Sequence, residues 1–381
     1  MSPSTVPHIG FVLERSLGHV THADNLSRLL PQETSIDAEL LPVDYAVDGW
    51  AARLPVFNSN WTVRAGVRAR RGIKAMHARR PLDALFIHTQ VPAVLCDSWI
   101  KKLPTVVSLD ATPLQYDELG AHYGHQPGNA RIERLKWKAN RACLHDARHV
   151  VTWTQWTKDG VVDGYGVDPD KITVIPPGVT PSLWHAATPR TISDDRGRVV
   201  RILFVGGDLQ RKGGDVLLAA FDAVRRDLAA TGGRNSIELH LATGATVAPA
   251  PGVVVHHGLK PNSQELIALY HRSDVFCLPT RGDCLPMVLS EAGAAELPLV
   301  STAIAGIPEI VRDGETGLIV PLDDVAALAR ALRSLVDDPS LRHRLGTAAR
   351  RLVDERFDAD QNTRQLVELL LATTTPARMA R

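Results

Sequence analysis

Short apolar runs alternate with helix-patterned segments along the whole chain, and they do so in two separate series. The first series holds HIGFVLE (His8 to Glu14), DALFIHTQ (Asp83 to Gln90), PTVVSLD (Pro104 to Asp110), HVVTWT (His149 to Thr154) and KITVIPPG (Lys171 to Gly178). Each is short, rich in β-branched residues and closed by polar or turn residues, so each reads as a strand. Helical patterns lie between them, such as Leu26, Leu29 and Leu30 on one side after the break at Ser16-Leu17-Gly18. Such alternation predicts a parallel sheet with crossover helices. Pro176-Pro177-Gly178 stops the series, and the aperiodic stretch 181–198 is the expected interdomain linker.

A second series then begins. VVRILFVGG (Val199 to Gly207), IELHLAT (Ile237 to Thr243), VVVHHG (Val253 to Gly258), DVFCLPT (Asp274 to Thr280) and PLVSTA (Pro298 to Ala303) read as strands. Helices are predicted over 214–229, 263–272, 287–295 and 324–337, and FDADQNTRQLVELLLA (Phe357 to Ala372) reads as a last amphipathic helix. A chain of 381 residues accommodates two domains of this kind. The predicted fold class is therefore α/β, with two Rossmann-like domains facing across a cleft. The expected boundaries are 1–190 and 196–355, then the helix 356–372 and a flexible tail 373–381.

Composition narrows the function classes. Hydrophobic residues make up 44% and charged residues 22%, as in ordinary globular proteins. A net charge of +1 gives no global field for nucleic acid, and no aromatic platform accompanies the basic stretches. The four cysteines form no CxxC pair and read as reduced thiols of a cytoplasmic protein. MSPSTVPHIGFVLERSLG lacks the basic start and long apolar stretch of a secretory signal, and no apolar run is long enough to span a bilayer.

In FVGGDLQRKGGDVLLAAF (Phe204 to Phe221) a strand ends at Gly206-Gly207 and a helix begins near Gly213-Gly214. Glycines let backbone approach a ligand, and a helix N-terminus presents unpaired N–H groups to phosphate. Arg211 and Lys212 add two cations suited to a diphosphate. The stretch is neither a Walker loop nor a G-x-G-x-x-G fingerprint, and it also reads as an ordinary βα turn with two surface cations. Farther on, Asp283 follows the strand DVFCLPT, and Glu291 stands eight residues later in an apolar helix. Ligands of open α/β sheets bind at strand C-terminal ends. Both carboxylates can accept hydrogen bonds from sugar hydroxyls there. Pro286 is expected in the first turn of that helix, where its missing N–H costs nothing. The plainer alternative makes Asp283 a cap and Glu291 a helix-face acid.

SEAGAAELPLVSTAIAGIPEIVRDGETGLIVPLDD (Ser290 to Asp324), FVGGDLQRKGGDVLLAAF and YGVDPDKITVIPPGV (Tyr165 to Val179) resemble, in order, motifs of the large retaining glycosyltransferase family 4 of GT-B fold. That family includes sucrose-phosphate synthases and bacterial phosphatidylinositol mannosyltransferases. The resemblance is strong over residues 150–370 and weak in the N-terminal half. It implies a sugar transferred from a nucleotide-diphosphate sugar, with Glu291 on the donor's ribose and Asp283 on the transferred sugar. It implies Lys212 on the diphosphate, with Arg211 beside it, and Gly18 and His22 in an N-terminal loop over the phosphates. Gly206, Gly207, Leu285, Met287 and Val288 would surround the donor, with the nucleobase near Leu259. The last helix would return to the N-terminal domain.

The sequence departs from the family pattern in four places. The first acid of its E-x7-E signature is Asp283, the glycine between the acids is Pro286, and the arginine after the strand glycine is Gly207. Asp110, in SLDATP, has no adjacent histidine. Asp110 reads either as a sugar or acceptor contact or as a strand-end cap, and a proton from the acceptor could go to the leaving phosphate. No His/Cys/Asp cluster has metal-ligand spacing and no DxD motif of the metal-dependent transferases stands out near a strand end, so the expected chemistry needs no metal and no cofactor besides the co-substrate, and Lys212, Arg211 and the helix N-terminus would stabilise the leaving group.

WTVRAGVRARRGIKAMHARRP (Trp61 to Pro81) carries Arg64, Arg68, Arg70, Arg71, Lys74, Arg79 and Arg80 among Trp61, Val63, Val67, Ile73 and Met76. It reads as a basic amphipathic helix, either lying on an anionic membrane or presenting a solvated basic face. RIERLKWKANR (Arg131 to Arg141) is a second basic stretch. Together they suggest an anionic or lipid-linked acceptor, peripheral contact at the inner face of a membrane through 61–81, and no nucleic acid. His88-Thr89-Gln90 could line an acceptor pocket or be structural. Two other readings stay open beside transfer: a non-catalytic nucleotide-sugar binder of the same fold, and a sugar epimerase.

Overall fold

The computed structural model describes residues 6–16, 18–44, 60–120, 128–185, 197–232 and 235–374. Most of the expected linker at 181–198 and the tail beyond 374 lie outside them. The chain divides into two compact units. Unit 1 comprises Met1–Glu118, Gln126–Pro177 and Ala359–Arg381, and unit 2 comprises Leu119–His125 and Gly178–Asp358.

Unit 1 holds β1 (His8–Arg15), β2 (Asp37–Asp44), β3 (Ala84–His88), β4 (Thr105–Leu109), β5 (His149–Thr152) and β6 (Ile172–Val174), in the order β2-β1-β3-β4-β5-β6. Every pairing is parallel. A parallel sheet needs both faces covered. On one face Val12, Leu85 and Val107 pack with Ile73 and Met76 of α2 (Trp61–Arg79) and Leu144 of α3 (Ala130–Asp146). On the other, Phe11, Leu13 and Phe86 meet Leu26 of α1 (His19–Leu29) and Leu366, Val367 and Leu370 of the last helix, Ala359–Thr374. That helix is further tied down where Asn362 Nδ2 donates to the Pro176 carbonyl, 3.0 Å away.

Unit 2 holds β7 (Val199–Val205), β8 (Ser236–Ala242), β9 (Val253–His256), β10 (Val275–Leu278), β11 (Leu299–Thr302) and β12 (Gly317–Val320), in the order β12-β11-β10-β7-β8-β9 and again all parallel. Its helices include α4 (Gly214–Thr231), α5 (Gln264–Arg272) and α6 (Met287–Ala294).

In both sheets the first strand sits in the interior, and the chain runs outward from it in both directions. The reversal falls between β1 and β3 in unit 1 and between β7 and β10 in unit 2. Loops leaving the C-terminal ends of two such strands diverge and open a crevice for ligand. The loops after β7 and β10 carry Arg211, Lys212 and Asp283, and the loop after β1 leads to Gly18.

Three elements escape the sequence pattern. DAELLPVD forms β2 although it is polar and contains Pro42; it is an edge strand paired only with β1, where a missing N–H is tolerated. GLIV forms β12, too short for periodicity and also at an edge. Pro339–Arg356 is a helix, started by Asp338, whose side chain accepts from the Leu341 N–H at 2.9 Å.

Candidate active site

In unit 2, the loop after β7 and the loop after β10 are laced together. Gly213 has a φ of +72°, and a Cβ added there would lie 1.9 Å from the Pro279 carbonyl oxygen. Only glycine fits on both counts, which places the Arg211-Lys212 turn against the β10 loop. The Arg281 N–H donates to the Arg211 carbonyl at 2.8 Å. The Arg281 guanidinium holds both oxygens of Asp215, at 2.7 and 2.9 Å, and one oxygen of Asp323 at 2.6 Å, and it also bonds the Gln210 carbonyl. Arg281 holds the Asp215 carboxyl below its usual range. Sequence reading did not single out this arginine, although it stands two residues before Asp283.

The laced loops converge on Asp283. Its Oδ1 accepts from Lys212 Nζ at 2.7 Å and from Arg211 Nη1 at 3.1 Å, and its Oδ2 accepts from Thr280 Oγ1 at 2.7 Å. Arg211 also bonds the Gly282 carbonyl. All three charged side chains are mostly buried, at 17% exposure for Arg211, 14% for Lys212 and 11% for Asp283. One carboxylate thus holds two cations in a fixed, partly desolvated arrangement at the sheet's switch point.

Glu291 does not join this cluster. It is 4% exposed, and its Oε2 accepts from the Tyr270 hydroxyl at 2.7 Å. Tyr270 is itself fixed by stacking on Phe276 and by an edge contact with Trp184. Burial pushes the Glu291 carboxyl up to about 7, against the opposing effect of the Tyr270 hydrogen bond. An acid whose pKa is raised on folding favours the folded state below its unfolded value and loses that contribution as pH climbs through the folded one. Glu291 therefore lowers stability progressively between pH 4.5 and about 7, by on the order of 3 kcal/mol. Glu291→Gln should melt higher than the wild type at about pH 8, and the gap should close towards about pH 5. Thermal melts at both values check this, and a gap independent of pH contradicts it.

The remaining donor-side candidates fall around these loops. A Cβ on Gly206 would come 3.1 Å from Lys212 Cγ, whereas Gly207 borders open space. Leu285 and Met287 are buried and Val288 is half-buried at the start of α6. Leu259 is half-buried just beyond β9, after Gly258 with its φ of +72°. Pro286 is not in the first turn of α6 as expected. It is the residue before that turn, with ψ 121°. Extended backbone there suits a residue that enters a helix from a loop, and the first-turn N–H groups begin at Met287.

The other candidates stand on unit 1, at the C-terminal edge of its sheet. Gly18 caps α1 with an ordinary negative φ of −69°, and a Cβ there would meet nothing within 4 Å. His22 lies one turn into α1; burial first, then His19, lowers its pKa to about 3. Asp110 follows β4 and is paired with His19, a residue the sequence reading passed over. Thr89 donates to Glu14 Oε2 and caps the short helix Gln90–Ala93 by accepting from the Val91 N–H. Gln90 Nε2 bonds the Ala111 carbonyl, so Thr89 and Gln90 serve as internal ties.

The basic stretch at 61–81 forms α2, and much of its apolar set faces the core of unit 1, while Val63 and Val67 stay half-buried. Ile73 and Met76 are core residues of unit 1, and Trp61 packs against that core while donating to Glu14 Oε1 at 2.6 Å. Arg79 and Arg80 pair with Glu39 and Asp37. Arg70 and Lys74 face solvent and, with Ser98, Trp99 and Lys102, line an open pocket of about 260 Å³. No helix among the described residues is long and apolar enough to cross a membrane, and no set of three or more His, Cys, Asp or Glu among them is arranged to hold a metal ion. The four cysteines are free and buried.

Residues 18–183 match the family model described as Glycosyltransferase Family 4, and residues 199–338 match the model described as Glycosyl transferases group 1. A glycogen synthase from Mycobacterium tuberculosis is 29% identical over 306 residues, which cover 78% of this chain and 70% of that protein. A D-inositol 3-phosphate glycosyltransferase from Corynebacterium aurimucosum is 32% identical over 215 residues, about half of each chain at 52% and 51%. The solved sucrose-phosphate synthase from Thermosynechococcus elongatus superposes with a TM-score of 0.72 at 15% identity, over 96% of this chain and 98% of that one, which speaks for the fold. The two six-stranded parallel sheets, each opening its loops at a switch point and each matched to such a model, lead to one conclusion: the chain belongs to glycosyltransferase family 4 and is a glycosyltransferase of GT-B fold.

Proposed function

We propose that the protein transfers a hexosyl group from a nucleotide-diphosphate sugar, with retention of configuration and without a metal ion in the chemistry. The observation that carries this reading is the convergence of Lys212 and Arg211 on Asp283 at the switch point of the unit 2 sheet. Two cations held 2.7 and 3.1 Å from one carboxylate oxygen match the charge of a diphosphate and can stabilise it as it leaves. Asp283 then acts first as the group that positions these cations. An arriving phosphate competes with it for Lys212 and turns the carboxylate towards the sugar hydroxyls. Glu291, buried and poised near neutrality, supplies a carboxylate for two adjacent ribose hydroxyls, whose donated hydrogen bonds favour its charged form.

An anionic acceptor is the reading the basic residues support, through Arg70, Lys74 and Lys102 on unit 1. Any contact of α2 with an anionic surface would be chiefly electrostatic and salt-sensitive, because Ile73 and Met76 are spent in the core and Trp61 packs against it.

The test is transfer in EDTA from UDP-, GDP- and ADP-sugars to acceptors in a cell extract with its lipids, with the product's anomeric configuration read by NMR. Retention with undiminished rate in EDTA is expected. An inverted product would overturn retention, and activity abolished by EDTA and restored by magnesium would overturn metal independence. Donor conversion without any acceptor would indicate an epimerase.

A further inference from the structure

Four side chains at the C-terminal edge of the unit 1 sheet form a connected series that runs from the interior to solvent. Ser108 in β4 is the sheet partner of His88, the last residue of β3. Ser108 Oγ lies 3.3 Å from His88 Nδ1, His88 Nε2 lies 3.0 Å from His19 Nδ1, and His19 Nε2 lies 3.7 Å from Asp110 Oδ2. His88 is fully buried and lies flat on Trp153, with ring centroids 5.3 Å apart and planes 6° from parallel. His22 contacts both His88 and Trp153 edge-on. His19 and Asp110 keep 14% and 21% of their side-chain surface exposed, so the series is open only at that end. His19 follows β1 and His88 ends β3, the two strands that flank the switch point.

Proton accounting gives the series a direction. Two imidazole nitrogens 3.0 Å apart share one proton. Burial, then His22 and His19, keeps the His88 pKa well below its ordinary value, so His88 is neutral. A carboxylate beside His19 Nε2 favours a proton on that nitrogen. When Nε2 carries the only ring proton of His19, its Nδ1 accepts, His88 donates to it from Nε2, and His88 Nδ1 accepts the Ser108 hydroxyl proton. The result is an N–H and a carboxylate oxygen presented side by side at an accessible edge. Their separation of 3.7 Å is too long for a direct hydrogen bond. It suits one inserted hydroxyl, which accepts from His19 Nε2–H and donates to Asp110.

We propose that His19 and Asp110 form a hydroxyl-binding subsite for a sugar or cyclic polyol, with His88 and Ser108 as the positioning residues that fix the His19 tautomer. The subsite deepens the glycosyltransferase reading by naming the polyol chemistry it takes on unit 1, and it rests on that reading only for its biological ligand.

The test needs no turnover. Long-range proton–nitrogen NMR spectra of the histidine rings in the full chain, assigned with His19→Asn and His88→Asn, report each tautomer. The Nε2–H tautomer is expected for His19 and for His88. Titration with D-glucose and with myo-inositol should move the His19 signals and leave those of His240 and His256, which pair with each other in unit 2, in place. Asp110→Asn should raise the half-saturating polyol concentration about 10-fold or more, as loss of a hydrogen bond to a charged group does. Ser108→Ala should shift the tautomer balance without touching the ligand. An Nδ1–H form of His19, no response to either polyol, or an unchanged titration in Asp110→Asn would each overturn the proposal. Donor binding by unit 2 is measured separately with nucleotides, so failure of that reading and failure of this subsite are told apart.

Discussion

Replacing Lys212 with alanine should lower kcat/KM for sugar transfer by about 10³-fold, a loss of roughly 4 kcal/mol in transition-state stabilisation. The size follows from where the lysine sits. Its ammonium is mostly buried and fixed on Asp283 Oδ1 at 2.7 Å, in a setting drier than bulk water. Charge builds on the leaving diphosphate during transfer, and a fixed cation in such a setting stabilises it more than a solvated one can. The effect should be larger on kcat than on KM, because Arg211 remains to hold part of the ground-state donor. Lys212→Arg should recover part of the rate, since a guanidinium carries the charge but reaches the phosphate from a different point. Initial rates of nucleoside diphosphate release check both variants. A Lys212→Ala enzyme within a few-fold of the wild type contradicts the assigned role.

Gly213→Ala should unfold the donor side of unit 2 rather than merely slow it. An alanine at a φ of +72° is strained by about 1–2 kcal/mol. The added Cβ would also stand 1.9 Å from the Pro279 carbonyl oxygen, so the two loops must separate. That separation breaks the Arg281 bonds to Asp215 and to the 208–212 turn. A total cost above about 3 kcal/mol is expected, lowering the melting midpoint by roughly 6–12 °C for a unit of this size. Gly207→Ala is the matching control for stability, because its Cβ would meet nothing within 4 Å and its φ is not positive. Equal melting midpoints for the two variants would show that the lacing of the loops does not support the unit.

Much of the architecture is legible in the sequence because interior parallel strands are buried on both faces and so are written as continuous apolar runs. Two of the four edge strands are not legible: β2 mixes acids and Pro42 into its run, and β12 has only four residues, whereas the edge strands β6 and β9 keep short β-branched runs. At the site, Arg211, Lys212, Asp283 and Glu291 stand out because they punctuate strand ends and a helix start. Their partnerships do not. Asp283 lies 71 residues from Lys212, and nothing in the sequence says that it holds the cations. Arg281 grips Asp215 across 66 residues, and Tyr270 meets Glu291 across 21. His19 is hidden by the same distance effect, since its partner His88 is 69 residues away and local spacing carries no trace of the pair. The basic stretch of α2 shows the converse. Its periodicity is that of an amphipathic helix, but periodicity does not say whether the apolar face meets a membrane or the protein's own core.

The most direct test of the account is calorimetric titration of UDP-, GDP- and ADP-sugars in EDTA, run on the wild type and on Lys212→Ala and Glu291→Ala. The account predicts that one nucleotide class binds without metal and that Glu291→Ala weakens that binding. It also predicts that the preference for the diphosphate over the free nucleoside shrinks in Lys212→Ala. A folded wild-type protein that binds none of them, or that binds one equally well after both substitutions, would contradict it.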